Sequence, residues 1–434
     1  MNGKEEKAFG KSFDNVIGYA KIKEELFKVL DMIKEPERYE KLGAKMPHGI
    51  LLYGDPGIGK TTIANAFIEE SGLPAYTLRR NGGGDAFADM VKETFEKAKS
   101  TAPSIVFLDD MDKFANEDES HRDAEEYVAV QACIDDAKDT GVFVLGTANN
   151  IRKLPMSLIR SGRFDRVIEM DDPTPADAEK IVKYYLSSKR VSPDVNLDDV
   201  AKMINYNSCA ELESMVNDAA INAAYDRRES IEIKDLIAAL LQKKYESNEE
   251  EFDSRPSDEA LKKVALHEAG HIVMAEVLSE GCVGFASIRS GMEGGFIHLC
   301  KNLTRRPYHI LVSLASKAAV ELSYAETVAN GCEEDIEKAI KAIRAGFSTT
   351  GSAGFGMVDV SINRFPDSSE SFNARNEAVA QAELERHFLK AKDILLKNRD
   401  FLEKTADALY KKQVLLWSDI QAIRKSVNVL PVAV

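Results

Sequence analysis

His48-Gly49-Ile50-Leu51-Leu52-Tyr53-Gly54-Asp55-Pro56-Gly57-Ile58-Gly59-Lys60-Thr61-Thr62 is the stretch whose reading decides the fold. Its first half is a short apolar run of the kind that forms a buried strand. Gly54 to Thr61 then has the pattern Gly-x-x-x-x-Gly-Lys-Thr. Such a loop works because its glycines let backbone N–H groups curl around phosphates while the next helix points its positive end at them. Asp55, Pro56, Gly57, Ile58 and Gly59 are expected to line the phosphates, with Thr62 just behind. Lys60 is expected to reach the β and γ phosphates of ATP, and the Thr61 hydroxyl to hold Mg²⁺.

Outward from this loop, short apolar runs recur between longer amphipathic stretches. Ser104-Ile105-Val106-Phe107-Leu108 and Gly141-Val142-Phe143-Val144-Leu145 are too short and too β-branched for helices. The alternation predicts an α/β module, a parallel sheet with helices on both faces, over 13–170 behind an N-terminal tail, 1–12. The strand ending at Leu108 delivers Asp109 and Asp110, one carboxylate to hold Mg²⁺ and the next to polarise the attacking water. Asn149, after the following strand, is placed to orient the γ-phosphate or that water. Arg160, Arg163 and Arg166 surround Gly162, a spacing that suits arginine fingers offered to a neighbour's phosphate and so implies a ring.

From 171 to 245 the apolar spacing is helical, which predicts a small helical lid. The acidic, apolar-poor stretch 246–257 reads as a linker. The remainder, 258–434, reads as a mainly α-helical domain with strand-like pieces at Ala286-Ser287-Ile288 and Gly295-Phe296-Ile297-His298-Leu299, and a long helix over Asn376 to Arg399. The glycines before Phe296 allow close backbone approach, which suits an edge strand able to accept an extended peptide.

With 434 residues, 44% apolar and 30% charged, the composition is that of a folded globular chain of about three domains. A net charge of −15 argues against nucleic acid as partner, because phosphate-backbone binding needs clustered Lys and Arg. The five cysteines are scattered without a Cys-x-x-Cys pair, which fits a reducing cytosol better than a disulfide framework. No run approaches the ~18 apolar residues of a membrane span, so a cytoplasmic location is expected.

The last domain opens with His267-Glu268-Ala269-Gly270-His271. On a helix the two histidines face the same way and can share one metal, while Glu268 stands beside it as general base. Zinc hydrolysis fits better than a two-histidine, one-carboxylate iron site, since the base lies on the ligand helix and no oxygenase-like strand scaffold is evident. Glu321, Glu326, Glu333, Glu334 and Asp335 are all chemically eligible as third ligand. His298 is expected to face outward from its strand.

Taken together, these motifs make 13–245 resemble an AAA+ ATPase module, and the rest of the chain resembles the peptidase half of FtsH-type AAA+ zinc metalloproteases. The resemblance implies that Val16-Ile17-Gly18-Tyr19 flanks adenine, with Ile17 and Gly18 in contact. It also implies that Gly54 to Thr61 is Walker A, Asp109 and Asp110 are Walker B, Asn149 is sensor 1, and Arg160 and Arg163 are the fingers. It selects Asp335 as the third zinc ligand, because Gly331-Cys332-Glu333-Glu334-Asp335-Ile336 is similar to the family's Gly-x-x-x-Asp-Leu segment.

The implied protein is a homohexameric, ATP-dependent zinc endopeptidase acting on protein or peptide substrates, without the family's N-terminal membrane anchor. Two departures qualify this. Asp110 stands where the family has Glu, which predicts slow ATP hydrolysis. The family's aromatic-Val-Gly pore loop is replaced by Asn81-Gly82-Gly83-Gly84-Asp85-Ala86-Phe87, where Phe87 either grips substrate or faces the core. The alternatives are a zinc peptidase whose slow ATPase is a regulatory switch, and a remodelling ATPase with a vestigial protease.

Overall fold

The computed structural model describes residues 10–80, 85–115, 124–160, 162–245, 257–289, 294–324, 331–350 and 370–432. The chain divides into two compact units, one made of 1–185 with 206–214, the other of 186–205 with 215–434. This division differs from the expected boundaries, because two stretches of the expected helical lid group with the C-terminal domain.

The first unit is built on a five-stranded sheet of β1 (Gly49–Tyr53), β2 (Ala75–Leu78), β3 (Ser104–Leu108), β4 (Val142–Ala148) and β5 (Arg166–Glu169). Its spatial order is β2-β3-β4-β1-β5, and every pairing is parallel. Side chains alternate across a strand, so each apolar run feeds two cores. Ile50, Leu52, Ile105, Phe107, Phe143 and Leu145 pack with Phe13, Leu26 and Phe67 on one face. Leu51, Val106, Leu108 and Val144 pack with Phe95, Phe114 and Phe164 on the other. A sheet buried on both faces explains why these strands read as continuous apolar runs. The α/β expectation is met.

Phe87, the aromatic candidate for gripping substrate, is 3% exposed and its ring lies 5.0 Å from that of Phe114. It belongs to the core. The rest of the expected pore stretch, 81–84, lies outside the described residues.

In the second unit the helices Asp258–Leu278, Arg306–Tyr324, Glu333–Thr350, Glu370–Lys397 and Arg399–Lys412 enclose one apolar core, including Ile272, Leu311, Ala315, Leu395 and Phe401. A three-stranded antiparallel sheet, of order β7-β6-β8, comprises β6 (Val283–Ser287), β7 (Phe296–Leu299) and β8 (Val414–Leu416). Among the described residues β7 is thus the outer strand. The helix Leu197–Ile204 also belongs to this unit: Asp199 accepts hydrogen bonds from the Ser418 amide and hydroxyl at 2.8 and 2.6 Å. Of the expected linker only Ser257 is described, and it caps the helix Asp258–Leu278 by accepting from Ala260 N–H at 3.2 Å.

Candidate functional site

In the first unit, β1 runs into the glycine-rich loop and the helix Lys60–Ser71 leaves it. Gly54, Gly57 and Gly59 have φ of 146°, 82° and 95°, a region that residues bearing a Cβ seldom adopt. Lys60 is buried, and its Nζ donates to the Gly54 and Asp55 carbonyls at 2.7 Å. Burial lowers its pKa, an effect opposed by Asp110, Asp112, Asp55 and Asp109. Asp55 and Thr62 are exposed.

Asp109, 3% exposed, anchors the polar side of the site. Its Oδ1 accepts from Thr61 Oγ1 at 3.0 Å and from Thr147 Oγ1 at 2.7 Å, and its Oδ2 accepts from Arg79 Nε at 2.6 Å. The two oxygens of Thr61 and Asp109 thus stand side by side, the hard-donor pairing that suits Mg²⁺. Asp110 has a left-handed backbone, φ 58° and ψ 51°, held by its N–H bond to Thr147 Oγ1 at 2.9 Å. Asn149 Nδ2 donates to Asp110 Oδ1 at 3.3 Å and Lys113 pairs with Oδ2 at 2.6 Å.

Ile17 and Gly18 precede Tyr19, whose hydroxyl donates to the Ile58 carbonyl at 2.8 Å. That bond ties the segment to the phosphate loop. Ala210 N–H donates to the Gly57 carbonyl at 3.0 Å, so residues after the large sheet close on the same loop.

The two expected fingers have different surroundings. Arg160 is exposed. Arg163 is buried and forks onto Asp135, while also bonding the Ser157 carbonyl. Arg166 pairs with Glu25.

In the second unit, His267 and His271 lie one turn apart on the helix Asp258–Leu278, and Asp335 lies in the first turn of Glu333–Thr350. His267 Nε2 and His271 Nε2 stand 3.2 and 3.0 Å from the same Asp335 oxygen, which also accepts from Ser316 Oγ at 2.9 Å. Ligand atoms from the three residues lie within 4.8 Å of one another, the metal-capable grouping among the described residues. His271 Nδ1 faces the Val312 carbonyl at 2.7 Å.

Electrostatics favour a cation here. Burial opposes charge on His267, yet its bonds to Asp335 and Cys332 push it up to about 10. Burial likewise opposes charge on Asp335, yet both imidazoles and Ser316 hold it well below the usual carboxylate range. Two imidazole nitrogens and one carboxylate oxygen so close together are a donor set that fits zinc.

Glu268 is 3% exposed, and its Oε1 lies 3.9 Å from His267 Nε2. Burial pushes its carboxyl above the usual range, against the pull of both histidines. Gly295, just before β7, lies directly over it: a Cβ there would sit 2.4 Å from Glu268 Cγ. The other eligible carboxylates are placed elsewhere. Glu321 is paired with Lys317 and Lys392, Glu333 and Glu334 are exposed, and Glu326 lies outside the described residues. His298 bonds Asn205 at 2.7 Å.

Gly270 sets how closely the histidine helix meets its neighbour. A Cβ would lie 2.5 Å from the Ala315 carbonyl oxygen and 2.8 Å from Ala319 Cβ. Gly→Ala in a helix ordinarily stabilises by about 1 kcal/mol. Here Gly270→Ala is expected to destabilise by about 1–3 kcal/mol through overpacking, read as a lower thermal midpoint; an unchanged or raised midpoint would contradict the close contact.

Residues without a role in the sequence reading also enter. Thr147 lies in β4 two positions before Asn149, a signal that period-two spacing could have supplied. Arg79, closing β2, had no local signal.

A phosphate-loop sheet and a helix-borne His, His, Asp cluster beside a buried carboxylate define an ATPase-type module joined to a metallopeptidase-type domain. Residues 50–172 match the ATPase family associated with various cellular activities (AAA). The chain is 31% identical to the ATP-dependent zinc metalloprotease FtsH of Mycoplasma genitalium, over 96% of this chain and 63% of that protein. It is 30% identical to FtsH 1 of Thermomicrobium roseum, over 95% and 68%, and 30% identical to FtsH of Thermus thermophilus, over 95% and 70%. The chain belongs to the FtsH family of ATP-dependent zinc metalloproteases. It spans only 61–63% of the length of the first relatives it matches. No helix among its described residues is long and apolar enough to cross a membrane.

Proposed function

We propose that this chain is an ATP-dependent zinc endopeptidase, in which ATP hydrolysis feeds unfolded or tagged polypeptide to the His267, His271, Asp335 cluster. The observation that carries the reading is Glu268, buried beside that cluster and roofed by the bare backbone of Gly295. His267, His271 and Asp335 would hold the metal. Zinc there supplies Lewis acidity, polarising a carbonyl and lowering the pKa of water. Glu268 accepts the water proton on its carboxylate and returns it to the leaving amine. β7, at the end of its sheet among the described residues, is the strand to which an extended substrate would add by main-chain hydrogen bonds.

In the nucleotide site, the Gly54–Gly59 amides and Lys60 bind the phosphates of ATP, and Thr61 and Asp109 hold Mg²⁺. Ile17 and Gly18 flank the base. Asp110 and Asn149 position the attacking water. Arg160 is the exposed finger for a neighbouring copy, and Arg163 holds the segment that presents it. This requires a ring, which we take to be a homohexamer. The five free cysteines suit a reducing cytoplasm.

The test is degradation of a fluorescently labelled unfolded protein by the zinc-loaded chain under ATP, a non-hydrolysable analogue, or no nucleotide. Cleavage only with hydrolysable ATP supports the proposal; equal cleavage in all three would overturn the coupling.

A second reading, a zinc peptidase with a slow regulatory ATPase, is favoured by Asp110 and by the bonds that Arg79 and Lys113 make to the paired aspartates. Asp110 is about one methylene short of the Glu usual in this family, and ~1 Å of misplacement can cost on the order of a hundredfold. Asp110→Glu is therefore expected to raise ATP turnover. It should also cost about 1 kcal/mol of stability, because the left-handed backbone tolerates Asp better than Glu. Steady-state hydrolysis and a thermal midpoint measure both, and an unchanged or reduced turnover would count against the reach argument.

A further inference from the structure

Each metal-facing imidazole has a second nitrogen that needs an acceptor. His271 Nδ1 has the Val312 carbonyl at 2.7 Å. His267 Nδ1 faces Cys332 Sγ at 3.7 Å, within reach of an N–H···S bond. Cys332 is 3% exposed, so its sulfur is held among protein atoms. It stands just before the helix Glu333–Thr350, whose Ile336 N–H bonds the Cys332 carbonyl at 3.0 Å. One helical turn therefore presents two side chains to His267, with Asp335 on Nε2 at 3.2 Å and the thiol on Nδ1.

We propose that Cys332 is a positioning residue: its sulfur accepts a hydrogen bond from His267 Nδ1–H, fixing the tautomer and ring angle that leave Nε2 free for zinc. The inference rests on the zinc reading of the cluster. Partners of this kind commonly change metal affinity by about 10–100-fold when removed. A sulfur is a weaker acceptor than a carbonyl, so His267 is the less firmly held of the two histidines. Because the thiol and Asp335 ride on the same turn, any shift of that turn changes the donor and its orienter together.

Two substitutions separate hydrogen bonding from packing. Cys332→Val fills the space without accepting a hydrogen bond, while Cys332→Ser accepts one without filling the space. Zinc affinity of the full chain, measured by competition with a chromophoric chelator at fixed neutral pH, is expected to fall by about 10-fold or more in the Val variant. The Ser variant should retain most of it. The thermal midpoint of each metal-free variant reports folding separately. Val retaining zinc while Ser loses it would overturn the proposal in favour of packing, and unchanged affinity in both would overturn it outright. If the unsubstituted chain binds no zinc, the zinc reading itself fails and this inference with it.

Discussion

Glu268→Gln is expected to lower peptide-bond hydrolysis by about 10²–10⁴-fold, the range a positioned general base supplies. The amide keeps the shape of the carboxyl but cannot take up a proton. Glu268 is not one of the three proposed ligands, so zinc stoichiometry should stay at one per chain. The substitution also removes a buried carboxyl beside two histidines, so folding should survive. Hydrolysis of a quenched fluorescent peptide, alongside zinc content and ATP turnover, tests this. Retained hydrolysis would remove Glu268 from the reaction, and loss of zinc would recast it as part of the metal set.

Lys60→Ala should abolish the nucleotide half of the protein's behaviour. A lysine making charge-assisted bonds to phosphate contributes about 1.5–3 kcal/mol per bond, so affinity for a fluorescent ATP analogue is expected to fall by about a hundredfold. The Lys60 ammonium also bonds the Gly54 and Asp55 carbonyls, so its loss loosens the loop. The variant discriminates between the two functional readings. Degradation of a stably folded substrate should stop while cleavage of a short peptide continues. Continued degradation of the folded protein would show that ATP does not drive substrate delivery.

Much of the first unit was legible because its physics is local. The glycine spacing announces a loop with positive φ, and short apolar runs with aspartates at their ends announce a parallel sheet and the side of it that carries chemistry. The proposed third metal ligand was not legible by the same means. Glu321, Glu333, Glu334 and Asp335 are interchangeable as chemistry, and tertiary placement sorts them, one neutralised by two lysines, two in solvent, one between two imidazoles. Arg79 and Cys332 were silent for the same reason. Their contacts reach Asp109 and His267 across whole helices and strands of intervening chain, and no periodicity records such a meeting. The helix Leu197–Ile204 shows the limit at domain scale: its local pattern is that of any amphipathic helix, and only the bonds from Ser418 to Asp199 place it with the C-terminal domain.

Gly295 leaves no room for a side chain above Glu268, and among the described residues β7 beyond it stands at the end of its sheet. A guest chain laid along that edge is read through its amides. Its side chains would matter less than its ability to lie flat and donate in register. Proline, which has no N–H to give, or N-methylation at alternate positions would then make an otherwise unfolded polypeptide indigestible, and a backbone-modified strand mimic would be a more general inhibitor than any particular sequence.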